Sequence, residues 1–150
     1  MKICFTASSG GHFEQLMMLK PIMDKNESFV ITEKTQYQPS NSKNIYYLKQ
    51  VNRKESGWVL KFIANTYRTF KILNKENPDV VISTGALSTV PVCLLGKLKG
   101  KKVIFIESFA KISTQTLSGK IVYKFADLFI IQWEQLKEFY PNAVYGGGIY

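Results

Sequence analysis

The chain has 150 residues, 45% of them apolar and 21% charged, an ordinary globular composition that excludes a disordered or low-complexity protein. That length suits one domain over 1–150, able to bury about 70% of its unfolded surface. A net charge of +9 points to an anionic partner, and with only two arginines (Arg53 and Arg68) and no nucleic-acid motif, an anionic membrane surface or a phosphorylated ligand fits better than nucleic acid.

The apolar run KICFTA predicts a buried strand over 2–7, followed by a helix over 12–25 carrying Phe13, Leu16, Met17, Leu19 and Met23 at helical spacing. Short strands are expected over 28–32 and 44–48, separated by a polar loop with Pro39, Ser40 and Asn41. A long helix over 57–77 stops at Pro78. Its Trp58, Val59, Phe62, Ile63, Tyr67, Phe70 and Leu73 read as a core face with a solvated basic side. The alternative is an amphipathic face lying on anionic lipid. A strand over 79–83, a helix over 84–100 and a strand over 101–107 come next. A helix over 118–126, a strand over 127–132, a short helix over 133–140 and a last strand over 142–147 complete the chain.

Continuous apolar strands separated by helices predict a doubly wound, mostly parallel Rossmann-like α/β sheet of six or seven strands, with helices on both faces. Cys4 and Cys93 lie in apolar runs and read as buried thiols in a reducing compartment. With one histidine and no ligand spacing, neither a metal site nor a cofactor is expected. No apolar run approaches the roughly 18 residues of a spanning helix, and the N-terminus enters a strand without a signal peptide. The expected location is cytoplasmic, with peripheral membrane contact.

Ligands of such folds bind at the carboxyl ends of the strands, where this sequence places small and polar residues. Ser8, Ser9, Gly10, Gly11 and His12 follow the first strand. Backbone N–H groups of that turn can face an anion or a sugar oxygen, with His12 as a general base. The same residues serve equally as a serine cap, a tight glycine turn and a solvated imidazole. They do not match the dinucleotide fingerprint, because the glycine spacing is wrong and Glu33 is an ambiguous acidic partner. Ser83, Thr84 and Gly85 follow a second strand, as a ligand loop or a compact cap. Glu107, Ser108 and Lys111 follow a third. A carboxylate at a buried strand tip needs solvent, a cap N–H, Lys111 or a ligand hydroxyl, and a bond from Glu107 to His12 would orient the imidazole. Gly146, Gly147, Gly148 and Tyr150 end the chain as given.

Together SSGGH, VISTGALSTVP, IFIESFAKISTQTLSGKIVYKFADLFIIQW and YPNAVYGGGIY resemble the acceptor-side subunit of two-component glycosyltransferases, the PssD/CpsF type of bacterial capsule and exopolysaccharide clusters. The chain is also similar to the membrane-anchoring subunit of the eukaryotic enzyme that adds the second N-acetylglucosamine to dolichol-linked sugar. The resemblance implies the N-terminal, acceptor-binding half of a GT-B fold, as in MurG-like enzymes. A separate UDP-sugar-binding glycosyltransferase subunit would be its partner, and an undecaprenyl-diphosphate-linked saccharide its acceptor. It implies His12 as catalytic base with Glu107 second. Ser9, Gly10, Gly11, Ser83, Thr84, Gly85, Ser108 and Lys111 would lie on the substrate side. Gly146, Gly147, Gly148 and Tyr150 would face the partner and donor. The long N-terminal membrane helix of the eukaryotic members is missing from this sequence. The implied activity is an inverting, UDP-sugar-dependent transfer, absent or weak in this chain alone. A non-catalytic membrane scaffold that enhances a β-1,4-glycosyltransferase is the alternative, and an independent nucleotide-binding protein ranks behind both.

Overall fold

The computed structural model describes residues 1–34, 44–52 and 54–150; the expected loop residues Pro39, Ser40 and Asn41 lie outside them. The strands are β1 (Lys2–Ala7), β2 (Glu27–Glu33), β3 (Ile45–Leu48), β4 (Val80–Ser83), β5 (Lys102–Ile106), β6 (Leu128–Ile131) and β7 (Val144–Tyr145). They form one seven-stranded sheet in the order β3-β2-β1-β4-β5-β6-β7, every pairing parallel. The Rossmann-like expectation is therefore met. Strand order reverses between β1 and β4, which meet in the register Thr6↔Ser83. That reversal is the switch point where such sheets open a crevice at their carboxyl ends.

Period-two alternation assigns the strand residues to two cores. Ile3, Phe5 and Ala7 pack with Leu16 and Met23 of the helices α1 (Gly11–Met17) and α2 (Lys20–Asp24). Cys4 and Val81 face the other way, among Ile72 and Leu73 of α3 (Trp58–Glu76), Val92 and Cys93 of α4 (Val90–Leu98) and Val122 of α5 (Leu117–Val122). Both cysteines are buried, and burial pushes the Cys93 thiol up to about 12.

Several expected elements are altered. The helix expected over 12–25 is two short helices, because Pro21 lacks an N–H and is accepted only in a helix's first turn, where it opens α2. The helix expected over 84–100 starts late. A turn over 84–86 and a 3₁₀ turn (Leu87–Thr89) precede α4, which has Pro91 in its first turn. The short helix expected over 133–140 is a 3₁₀ turn (Glu134–Glu138), and the last strand contracts to two residues.

The core-face reading of α3 holds at Leu73 and fails at Val59, Ile63, Tyr67 and Phe70. Val59, Leu60, Ile63, Tyr67 and Phe70 are exposed, while Asn65, Thr69, Ile72 and Leu73 are buried. The reason lies at the end of β3, where the sheet ladder stops and leaves backbone groups to satisfy. The Lys49 N–H donates to Asn65 Oδ1 at 2.9 Å, and Asn65 Nδ2 donates to the Lys49 carbonyl at 2.7 Å. The helix therefore turns this amide inward and much of its apolar surface outward.

Candidate functional site

His12 is the second residue of α1, one turn beyond the end of β1. Gly10 caps the helix at φ +77°, its carbonyl accepting from the N–H groups of Phe13 (2.8 Å) and Glu14 (3.1 Å). No side chain caps α1, so the serine-cap reading is not met. His12 Nδ1 lies 2.9 Å from the Thr84 carbonyl oxygen, and Thr84 Oγ1 donates to the His12 carbonyl at 2.7 Å. A carbonyl only accepts, so in the neutral ring this contact assigns the hydrogen to Nδ1 and the lone pair to Nε2.

The turn after β4 holds that contact. Gly85 sits at φ +108° and Ala86 at φ +84°, the latter outside the regions an L side chain favours. Such a residue costs on the order of 1–3 kcal/mol and persists only where its surroundings over-determine it. Here a chain of hydroxyls does so. Gly85 N–H donates to Ser83 Oγ (3.1 Å), Ser83 Oγ to Thr89 Oγ1 (2.9 Å), and Thr89 Oγ1 to the Ala86 carbonyl (2.8 Å). Ser83 and Thr84 are fully buried, so they brace the turn instead of lining the cleft as expected.

No hydrogen bond joins Glu107 to His12. Glu107 is fully buried, and its Oε1 accepts from Ser108 N–H (2.8 Å) and Thr116 Oγ1 (2.7 Å). Its Oε2 accepts from the Tyr140 hydroxyl (2.6 Å) and more weakly from Thr116 N–H (3.4 Å). So supplied with donors, the buried Glu107 side chain anchors this loop. Its own carbonyl accepts from Gln132 Nε2 (2.8 Å) and Gln15 Nε2 (3.5 Å). Gln15 Oε1 in turn accepts from Phe109 N–H (3.3 Å), and Trp133 Nε1 donates to the Phe109 carbonyl (2.7 Å).

Between α1 and this anchored loop lies a cavity of about 200 Å³, lined by Gly11, His12, Gln15, Ser108, Phe109, Ala110 and Tyr150. Of the expected site residues it gathers Gly11, His12, Ser108 and Tyr150. Gly146, Gly147 and Gly148 line a neighbouring cavity of about 190 Å³ with Ile106, Ile130 and Ile149. Lys111 and Ser9 line neither, although Lys111 N–H donates to the Ser108 carbonyl at 3.0 Å. A third cavity, of about 370 Å³, opens between the ends of β3 and β4, bordered by Gln50, Asn52, Lys54, Phe62 and Ser88. Beside it burial pushes the Glu33 carboxyl up, partly offset by Val51 N–H at 3.2 Å, the Ser88 hydroxyl and Ser9 N–H.

Gln15, Thr116, Gln132, Trp133 and Tyr140 escaped sequence reasoning. Two of them left a signal: Gln15 shares a helix with Phe13 and Leu16, and Gln132 ends the apolar run LFII. A polar amide in such company is buried only with partners.

Residues 24–149 match the family described as "Oligosaccharide biosynthesis protein Alg14 like", a span that begins after His12. Over 99% of its length the chain is 31% identical to the human "UDP-N-acetylglucosamine transferase subunit ALG14", covering 83% of that protein. It is 41% identical over 75 residues to the Schizosaccharomyces pombe protein of the same name, a match covering 47% of this chain and 36% of that one. Among solved structures, MurG of Acinetobacter baumannii superposes with a TM-score of 0.70 at 14% identity, over 89% of this chain and 42% of that one. A UDP-N-acetylglucosamine 2-epimerase superposes with a TM-score of 0.72 at 13% identity, over 92% and 43%. The chain thus spans less than half of either structure, and at these identities the likeness is one of fold.

Proposed function

The chain belongs to the Alg14-like family of oligosaccharide biosynthesis proteins, and from that premise we propose that it is the acceptor-binding subunit of a split, inverting glycosyltransferase. The relatives support this reading by their name, as subunits of a UDP-N-acetylglucosamine transferase. The observation that carries it is the contact of His12 Nδ1 with the Thr84 carbonyl, which leaves Nε2 to accept, in a ring that lines the cleft. Nε2 takes the proton of an acceptor hydroxyl, whose oxygen attacks the anomeric carbon of a UDP-sugar held by a second polypeptide. The bond from that carbon to the UDP oxygen breaks on the opposite face, and its electron pair leaves with UDP. Gly11, Ser108 and Tyr150 border the acceptor, and the glycine tail faces the donor-binding partner.

The acceptor in this reading is a saccharide on a lipid diphosphate, undecaprenyl diphosphate by the resemblance to the PssD/CpsF type, and the product a capsular or exopolysaccharide repeat. The protein then works peripherally at the inner face of the cell membrane. Support comes from α3, whose exposed Val59, Leu60, Ile63, Tyr67 and Phe70 are joined by the exposed Leu94 and Leu98 of α4. Lys71 Nζ sits 4.6 Å from the centre of the Tyr67 ring and Lys99 Nζ 5.5 Å from that of Phe70. Apolar and aromatic side chains rimmed by lysines suit an anionic lipid interface. No helix among the described residues is long and apolar enough to cross a membrane.

The test compares the chain alone with the chain plus its UDP-sugar-binding partner, using a lipid-diphosphate saccharide as acceptor. Transfer is expected only from the pair, and robust transfer by the isolated chain would overturn the split. His12→Ala is expected to slow the assembled pair by about 10²–10⁴-fold while the subunits still co-elute. The scaffold reading gains from the internal commitment of Glu107 and requires that His12→Ala be silent.

A further inference from the structure

We propose that the turn Thr84–Gly85–Ala86 selects the working form of His12, with Thr84 and Gly85 as positioning residues for its Nε2 lone pair. This rests on the reading of His12 as the base. A neutral imidazole has one proton for two nitrogens, and only the tautomer with Nε2 bare can accept a proton there. The Thr84 carbonyl, 2.9 Å from Nδ1, holds the proton on the other nitrogen.

Reaching that carbonyl requires glycine at 85. A Cβ there would lie 3.2 Å from both Nδ1 and Cε1 of His12, inside ordinary van der Waals contact, and φ +108° would strain any side chain besides. The ring occupies the space that a side chain at 85 would take. The second bond of the pair, from Thr84 Oγ1 to the His12 carbonyl at 2.7 Å, fixes the backbone beneath the ring. Two bonds of opposite sense between the same residues set both position and orientation.

The cost of the turn fits that role. Two successive positive φ values, one at alanine, are braced from behind by buried Ser83 and Thr89, neither of which lines the cleft. The braced turn places a carbonyl oxygen against the one imidazole of the chain, across the strand-order reversal between β1 and β4.

Because His12 is the only histidine, ¹⁵N-histidine labelling of the full chain reports this ring alone. At a pH where the ring is neutral, the wild type is expected to show a protonated Nδ1 and a bare Nε2; a protonated Nε2 overturns the proposal. Gly85→Ala is expected to move both nitrogen signals toward those of a freely exchanging imidazole. In the assembled pair it should lower kcat by about 10²-fold with KM for the UDP-sugar unchanged. Unchanged ring signals in a folded Gly85→Ala variant overturn the proposal. Should that variant fail to fold, Thr84→Val removes the hydroxyl bond at equal size and is expected to perturb the ring likewise, with Thr84→Ser restoring the wild-type signals. A Thr84→Val ring identical to wild type counts against the device. If the ring signals behave as expected but His12→Ala is silent in the pair, the base reading fails alone and the positioning geometry stands.

Discussion

Tyr140 donates its phenolic hydrogen to Glu107 Oε2 at 2.6 Å, joining two fully buried side chains beneath the wall of the His12 cleft. Burial, and then the neighbouring carboxylate, push the phenol far above its ordinary range, so it stays a donor throughout the accessible pH range. Tyr140→Phe would leave Oε2 with only the long bond from Thr116 N–H. A loss of about 2–3 kcal/mol is expected, the cost of stripping a buried charged group of a donor, read as a lower urea midpoint. A midpoint equal to wild type would show that Glu107 is not held as described.

Gly119→Ala tests the same cluster with an inverted sign. At an exposed helix position the change gains up to about 1 kcal/mol in propensity. Here the new methyl would collide with Glu107 Oε2 and lie 2.5 Å from the Tyr140 hydroxyl and 2.8 Å from Thr116 Oγ1. A net loss of about 1–3 kcal/mol is expected, as for overpacked cores. Any stabilisation of the variant in chemical unfolding would contradict the packing.

Asp127 sets an acid-side prediction. The Lys97 ammonium at 2.9 Å and then the Val103 N–H at 2.9 Å hold its carboxyl down at about 2, against an ordinary 3.8. The unfolded chain takes up this proton first as pH falls. The stabilisation is therefore complete above 3.8 and is lost between 3.8 and about 2. Asp127→Asn should be less stable at neutrality and show a shallower fall across that window. Parallel unfolding curves for the two proteins from neutrality to acid would refute the assignment.

The outward face of α3 predicts a vesicle phenotype. Leu60 and Ile63 are 73% and 58% exposed, so Leu60→Glu with Ile63→Glu should leave the thermal midpoint unchanged. Binding to anionic vesicles should fall at least about tenfold, since each side chain inserted contributes more than 1 kcal/mol. Undiminished co-sedimentation would move the membrane contact elsewhere.

The strands were legible because runs such as VVIS and LFII are apolar throughout, as both-face burial demands. The bounds of α3 were legible too, between Gly57 and Pro78. Its orientation was not, because periodicity says which residues share a face and not which face turns inward. That choice was made by backbone groups at the end of β3 that needed Asn65, a partner far along the chain. The loop clusters were found from fold logic, and His12 does line a cavity. The partners of Glu107, Thr116 and Tyr140, come from elements that composition cannot place against it. The contact of Thr84 with His12 depends on β1 and β4 being neighbours, which local sequence does not encode.

The position of β1 in the sheet also bears on how the chain acquires its structure. β1 lies inside the sheet, and its second neighbour, β4, starts only at Val80. Until that residue is available, one edge of β1 is an unpaired template, and the partners of Ile3 and Phe5 from that edge do not yet exist. Pairing across such a separation is slow and exposes apolar edges to other chains. During synthesis on a ribosome, β1 therefore carries an unpaired edge until β4 has emerged. A chaperone that covers that edge in the meantime would raise the yield of protein without touching its final stability.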